Sequence, residues 1–421
     1  MHGAKGYALK YDKRLERLGI KYNPFPLRCP EEPALQKLFA NREREIEKTI
    51  GVIEGRRNAL IYGYYGVGKT AFLKYLLFDL AGLEKPKVAS IYTTFTESSE
   101  TDFLNTIAFA LAKQFKTEYK RAEEVYSKMS EIEKVKERET AVEAGFSMIF
   151  KGAGRYTSIE GETFKTSLLP AYTKDFVMET LQTMSEKYRI LIGVDEIDKI
   201  APRDFNKLIA GIRDILGYNA SFMLTGSYTF LSLAGTIIST QYGAFDIKTE
   251  LPEMSTKNLK DAAIKYCNAA GGTPFTEDAL EELAEQSLGI PRAMMVLCRG
   301  AVENAAAAGL SKIDKKNISV VLFDTGKTIY DSLLKTQKKV VKYMSSSTGG
   351  ELDTVTKKVA ADLGVTQPRV YTYLDALMSK DAVIEIGKNG ERVWKISPAL
   401  VSYLKRNGRI LQDSINRRKT G

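Results

Sequence analysis

Between residues 59 and 251, short apolar runs alternate with stretches patterned for helix. The runs are 59–62, 88–93, 190–194, 222–225 and 245–251. Each is of strand length, and helix-length segments separate them. That alternation predicts an α/β fold, a doubly wound domain on a parallel sheet. Ahead of it, residues 41–56 carry Ile46, Ile50 and Ile53 at helical spacing, which predicts a helix.

The period changes further on. Residues 256–270, 277–287 and 291–308 read as successive helices, the last stopping before Gly309. Residues 334–344 and 354–363 predict two more. A third opens at Val365-Thr366-Gln367-Pro368-Arg369 behind the Gly364 turn, with Val370, Leu374 and Leu377 inward. The runs 382–386 and 392–396 flank Gly387-Lys388-Asn389-Gly390, where Asn-Gly marks a hairpin. Residues 119–169 form an insertion: densely charged to 143, then Phe146, Met148 and Phe150 alternating before a turn at Gly152 and Gly154, a second hairpin. It reads as a surface elaboration or as a loop offering Lys151, Arg155 and Lys165 to a partner. The expected organisation is an extended N-terminal arm (1–35), an α/β core (36–252), a helical lid (253–330) and a C-terminal unit (331–421).

Composition narrows the chemistry. With 44% hydrophobic and 27% charged residues, wholesale disorder is excluded. No run of about 18 apolar residues offers a membrane span, and the charged N-terminus lacks an apolar signal core. Cys29, Cys267 and Cys298 never form C-x-x-C, which argues against a zinc ribbon or a disulfide framework. The only histidine is His2, so no histidine base, triad or metal site can be assembled. The net charge of +10 is uneven. Residues 331–421 hold seventeen Lys and Arg against nine Asp and Glu, which leaves +2 for residues 1–330. A polyanion partner for the C-terminal unit is the expectation.

The sharpest local signal is Gly63-Tyr64-Tyr65-Gly66-Val67-Gly68-Lys69-Thr70, a G-x-x-x-x-G-K-[ST] sequence between an apolar run and an amphipathic helix. Its glycines let backbone N–H groups curl around phosphate oxygens, and the helix N-terminus adds its positive dipole end. Lys69 is placed for the β- and γ-phosphates and the Thr70 hydroxyl for Mg²⁺. About 125 residues further on, the run ending in Asp195-Glu196 supplies paired carboxylates. Asp195 is the candidate Mg²⁺ residue and Glu196 the candidate general base for water. The run 222–225 ends in Thr225-Gly226-Ser227. These hydroxyls either orient the attacking water or simply cap a turn.

Together with Gly289-Ile290-Pro291-Arg292, these elements resemble the AAA+ ATPases, over roughly residues 35–400. The resemblance implies ATP as the nucleotide and hydrolysis to ADP and phosphate. It implies Arg292 as the sensor-2 arginine that reaches the γ-phosphate, and Thr225 or Ser227 at sensor 1. Asn41-Arg42-Glu43 looks like the G-R-E box that helps hold adenine, with Asn41 in place of Gly. The layout is similar to the origin-recognition initiators. Two departures stand out: Thr-Gly-Ser where initiators carry Asn, and no arginine between Arg213 and Arg292, where an arginine finger is expected. Signalling or defence switches of the STAND type, and transposition or plasmid-maintenance ATPases, therefore stay open.

Residues 363–385 resemble winged helix-turn-helix proteins. The resemblance implies a recognition helix presenting Thr366, Gln367, Arg369, Tyr371 and Thr372 to double-stranded DNA, with Lys388 and Arg392 on the wing. The alternative is a winged helix that packs only on protein. A protein partner or self-association is expected through the core. A cytoplasmic protein, nucleoid-associated if DNA-binding, without membrane contact, completes the expectation.

Overall fold

The computed structural model describes residues 4–26, 28–94, 100–137, 147–151, 154–159, 170–200, 202–228, 245, 247–388 and 391–406. The chain divides into two compact units. One comprises Met1–Cys29, Tyr64–Val67 and Pro252–Gly421. The other comprises Pro30–Gly63 and Gly68–Leu251.

The second unit is built on a seven-stranded sheet. Its strands are β1 (Ala59–Gly63), β2 (Val88–Thr94), β3 (Ser147–Lys151), β4 (Gly154–Ile159), β5 (Arg189–Asp195), β6 (Ala220–Gly226) and β7 (Ile247–Leu251). They lie in the order β3-β4-β2-β5-β6-β1-β7. Every pairing is parallel except β3 with β4. β5 and β6 are buried along almost their whole length, as strands covered on both faces must be. This is the doubly wound α/β arrangement that the alternating pattern predicts. The helices Glu100–Phe115 and Pro170–Met184 contribute Phe109, Phe115, Phe176 and Leu181 to a core with Ile91, Ile192 and Phe222.

Two local features go beyond the sequence reading. The hairpin of the insertion forms as β3 and β4, but β4 also pairs with β2, so this segment extends the main sheet. The side chains of Lys151 and Arg155, and Lys165 altogether, lie outside the described residues. In the helix Glu43–Gly55 the inner face holds Thr49 and Val52, whereas Ile50 is 41% exposed. The reason is polar: the Thr49 hydroxyl meets the Thr249 hydroxyl of β7 at 2.9 Å, and Ser221 Oγ of β6 donates to the Val52 carbonyl at 2.9 Å. Pairing these buried groups fixes the helix's rotation.

In the first unit the N-terminal segment is not extended as expected. Ala4–Arg17 is a helix, consistent with its Ala, Lys, Leu, Arg and Glu content. Leu15 in its last turn and Leu18 just past its end are buried, and Phe25 follows, stacked on Tyr266 at 6.2 Å and edge-on to Phe275 at 6.0 Å. Four helices come next: Thr256–Ala269, Glu277–Gln286, Pro291–Ala308 and Lys315–Ser332. Ser255 caps the first through the Asn258 N–H, and Asp314 and Asn317 form a capping box on the last.

Three further helices follow: Lys335–Ser347 and Gln367–Met378 pack on a small antiparallel sheet, and Lys357–Leu363 packs on both of them. The sheet's strands are β8 (Glu351–Leu352), β9 (Val383–Lys388) and β10 (Glu391–Ile396), in the order β8-β10-β9. The helix Pro398–Arg406 then returns to the four-helix segment, and one apolar core runs from Leu259 through Ile329 to Trp394 and Leu400. The return is close at Gly326. A Cβ there would lie 2.6 Å from the Ala399 carbonyl carbon and overlap its oxygen. The helices Lys315–Ser332 and Pro398–Arg406 thus touch backbone to backbone. Among the described residues no helix is long and apolar enough to cross a membrane.

Gly326→Ala is expected to destabilise this unit by about 1–3 kcal/mol, as overpacking does, and Gly326→Leu by more. Circular dichroism melting reads the effect. An unchanged melting temperature in the leucine variant would contradict the close approach.

Candidate functional site

β1 delivers the chain to Gly63, and the helix Lys69–Ala81 starts after Gly68, whose φ is +99°. Gly66 has φ +82°. Both conformations suit glycine, and they aim the helix's first N–H groups outward at its N-terminus. Lys69 Nζ donates to the Gly63 carbonyl at 3.0 Å. Thr70 is half-buried in the helix's first turn. Gly63, Gly68, Lys69 and Thr70 belong to the second unit, and Tyr64, Tyr65, Gly66 and Val67 to the first. Because β1, β6 and β5 are parallel neighbours, their carboxyl ends open on one edge of the sheet, where ligands of such folds bind.

Asp195 ends β5 and is 2% exposed. Its Oδ2 accepts from the Tyr92 hydroxyl at 2.9 Å, and its Oδ1 from the Thr225 hydroxyl. The Glu196 N–H donates to both Asp195 Oδ1, at 3.0 Å, and Thr225 Oγ1, at 3.1 Å. Behind Tyr92, the buried Lys74 places its ammonium 4.7 Å from the ring centre. A buried carboxylate is costly unless its oxygens are bonded, and here both are. Tyr92 and Lys74 were not singled out by sequence. Tyr92 sits in an apolar run and Lys74 on the amphipathic helix after the glycine loop, and the Tyr92–Asp195 bond spans 103 positions.

Glu196 has φ +61°, a left-handed backbone for a side chain that seldom adopts it. Such outliers collect where a surrounding structure imposes them, as at active sites. Ser227 follows β6 and is half-buried. Arg42 precedes the helix Glu43–Gly55 with φ +87°, buried, its Nη1 3.4 Å from Glu45 Oε1. Thr70 and Asp195 offer a hydroxyl and a carboxylate, which fits a hard divalent cation that takes its other ligands from phosphates and water. Among the described residues no group of three His, Cys, Asp or Glu could hold a metal by itself.

Arg292 lies in the first unit, in the opening turn of Pro291–Ala308. Its backbone N–H donates to the Gly66 carbonyl at 3.2 Å, and its guanidinium carbon is 5.3 Å from the Tyr65 ring centre. Nε bonds Asp381 Oδ1 at 2.8 Å. Burial disfavours the charged guanidinium, but the bond to Asp381 and its charge outweigh it and raise the Arg292 pKa.

On the helix Gln367–Met378, Arg369 and Thr372 are exposed, and Thr366 precedes the helix, also exposed. The Arg369 guanidinium lies 5.3 Å from the Tyr373 ring centre. The Thr372 hydroxyl donates to the Pro368 carbonyl at 3.2 Å. Two residues expected to face outward are engaged instead. Gln367 Nε2 donates to the Val355 carbonyl at 2.8 Å, tying the helix to the preceding loop. Tyr371 is half-buried, edge-on to Trp394 at 5.8 Å. The side chains of Lys388 and Arg392 lie outside the described residues, as does the basic tail beyond Arg406.

No protein-family model matches the chain. It is 29% identical over 132 residues to an uncharacterized HTH-type transcriptional regulator of Methanocaldococcus jannaschii, a match covering 30% of this chain. The match spans about a third of the length of that relative, 32%. Among solved structures, the chain is similar to the Aeropyrum pernix ORC1 protein in complex with DNA, with a TM-score of 0.49 and 16% identity over 89% of this chain and 95% of that one. It is similar to the Aeropyrum pernix ORC2 protein at a TM-score of 0.48 and 14% identity, over 93% and 99% of the two chains. It is also similar to the Thermotoga maritima RuvB Holliday junction branch migration motor, at 0.45 and 14%, over 91% and 99%.

Proposed function

We propose that this chain is an ATP-dependent DNA-binding ATPase of initiator-like type. The observation that carries the reading is the joint placement of Lys69, Asp195, Glu196 and Thr225 at the carboxyl ends of β1, β5 and β6 of one parallel sheet. Lys69 exchanges its bond to the Gly63 carbonyl for β- and γ-phosphate oxygens, and the N–H groups opening the helix Lys69–Ala81 cradle the same phosphates. Thr70 and Asp195 would hold Mg²⁺, which when bound neutralises charge on the β- and γ-phosphates. Tyr92 and Thr225 hold the Asp195 carboxylate in place through their hydroxyls, and Glu196 acts as general base on the attacking water. Thr225 or Ser227, at the end of β6, orients that water. Arg42 helps hold adenine, and Arg292 answers to the γ-phosphate.

The C-terminal segment supplies the DNA contact as a winged helix, on the strength of its charge and of exposed Arg369 and Thr372. A signalling switch with a protein-binding C-terminal segment is the second reading. It is favoured by the arginine-free stretch from 214 to 291. Titration with duplex DNA separates the two.

Three outcomes are expected. Lys69→Ala abolishes ATP binding, whereas Glu196→Gln keeps it and lowers turnover on the order of 10²- to 10⁴-fold. Equal loss of binding in both variants, by equilibrium dialysis, would contradict the assigned roles. Tyr92→Phe raises the Mg²⁺ concentration needed for half-maximal nucleotide binding several-fold; a metal titration unchanged from the unsubstituted protein would remove Tyr92 from the site. Fluorescence anisotropy of the full chain on duplex DNA falls steeply with salt, and Arg369→Ala weakens binding by about 1–3 kcal/mol. Salt-independent or absent binding sinks the DNA reading.

A further inference from the structure

The pairing of Arg292 with Asp381 joins two segments of the first unit that have no local reason to meet. Arg292 opens the helix after Gly289-Ile290. Asp381 occupies the turn between the helix Gln367–Met378 and β9, with φ +55°. A second tie lies at the other end of β9. The Gly387 N–H donates to Glu253 Oε1 at 2.7 Å, and a Cβ at Gly387 would sit 3.0 Å from the Tyr64 hydroxyl. The C-terminal segment is therefore held at both ends of one strand. One tie reaches Arg292, which stacks over Tyr65, and the other reaches Glu253 beside Tyr64.

The first tie has the chemistry of a replaceable anion. The side chains of Arg292 and Asp381 are 37% and 27% exposed, so solvent and a competing anion can reach the pair. The guanidinium meets Asp381 through Nε, a single bond where a phosphate can take two. A terminal phosphate also carries more charge than one carboxylate.

We propose that Asp381 is a positioning residue that occupies Arg292 in place of the nucleotide's γ-phosphate, so that ATP, and not ADP, frees the β9 end of the C-terminal segment. The inference rests on Arg292 answering to the γ-phosphate, as proposed above. ATP draws Arg292 away from Asp381, so the turn before β9 loses this tie while the Glu253–Gly387 bond at the strand's other end remains. By linkage, whatever holds the C-terminal segment away from Arg292 must tighten ATP by the same factor. Since a partly exposed ion pair is weak, that factor is small, about two- to fivefold.

The test is a double-mutant cycle on the full chain, with binding of a non-hydrolysable ATP analogue and of ADP measured by calorimetry. Asp381→Asn is expected to tighten the ATP analogue about two- to fivefold and to leave ADP unchanged. In an Arg292→Ala background the same substitution is expected to do nothing. Asp381→Ser serves if the asparagine variant does not fold, and melting curves show which does. An unchanged ATP affinity, an equal shift for ATP and ADP, or a shift that persists without Arg292 overturns the inference. If Arg292→Ala weakens the ATP analogue while Asp381→Asn is silent, the γ-phosphate role stands and only the competition falls. If the unsubstituted chain binds neither nucleotide, the proposed function falls and takes this inference with it.

Discussion

The carboxylate of Asp195 is buried and must be bonded where it sits. Three strands have to agree for that to happen. Thr94 of β2 lies opposite Asp195 of β5, so Tyr92, two residues back, presents its hydroxyl from the same face of β2. Val194 lies opposite Leu224, so Thr225 of β6 comes level with Asp195. A slip of one residue at either pairing would turn Tyr92 or Thr225 to the opposite face and leave a buried charge short of a donor. Losing a hydrogen bond to such a charged group costs about 1.5–3 kcal/mol. The register of the central sheet and the geometry of the site are thus set by the same bonds.

Much of this was legible in the sequence for physical reasons that can be named. Strands buried on both faces are continuous apolar runs, and those five runs became β1, β2, β5, β6 and β7 within a few residues. Lys69, Asp195 and Glu196 stand at fixed offsets from such runs, which ties their location to the strand ends. The site's support was not legible. Tyr92 in an apolar strand looks like core packing, and Lys74 looks like a solvated charge on a helix, until the fold closes Lys74 over the Tyr92 ring. Gln367 and Tyr371 occupy positions that periodicity assigns to the surface, yet each has a local partner, Val355 and Trp394, that only the folded segment supplies. The N-terminal helix shows no helical stripe in the sequence: among the described residues its buried apolar anchors, Leu15 and the following Leu18, come at its very end.

Charge and packing divide the first unit differently. The excess of positive charge begins after residue 331, but the apolar core does not stop there. Sequence composition reports what faces solvent and partners, whereas the core reports which helices share a common interior. The helix Lys315–Ser332 serves both sides of that charge boundary, and Ile329 near its end contributes to the core.

The absence of a side chain at Gly326 has a mechanical side. Where two helices meet through interleaved side chains, rotamer changes let one slide while the other stays. Where backbone meets backbone, as at Ala399, there is no such slack. The helix Lys315–Ser332 has 18 residues and is therefore about 27 Å long at 1.5 Å per residue. A tilt of roughly 10° at one end displaces the other by about 5 Å on that length, and Pro398–Arg406 must travel with it.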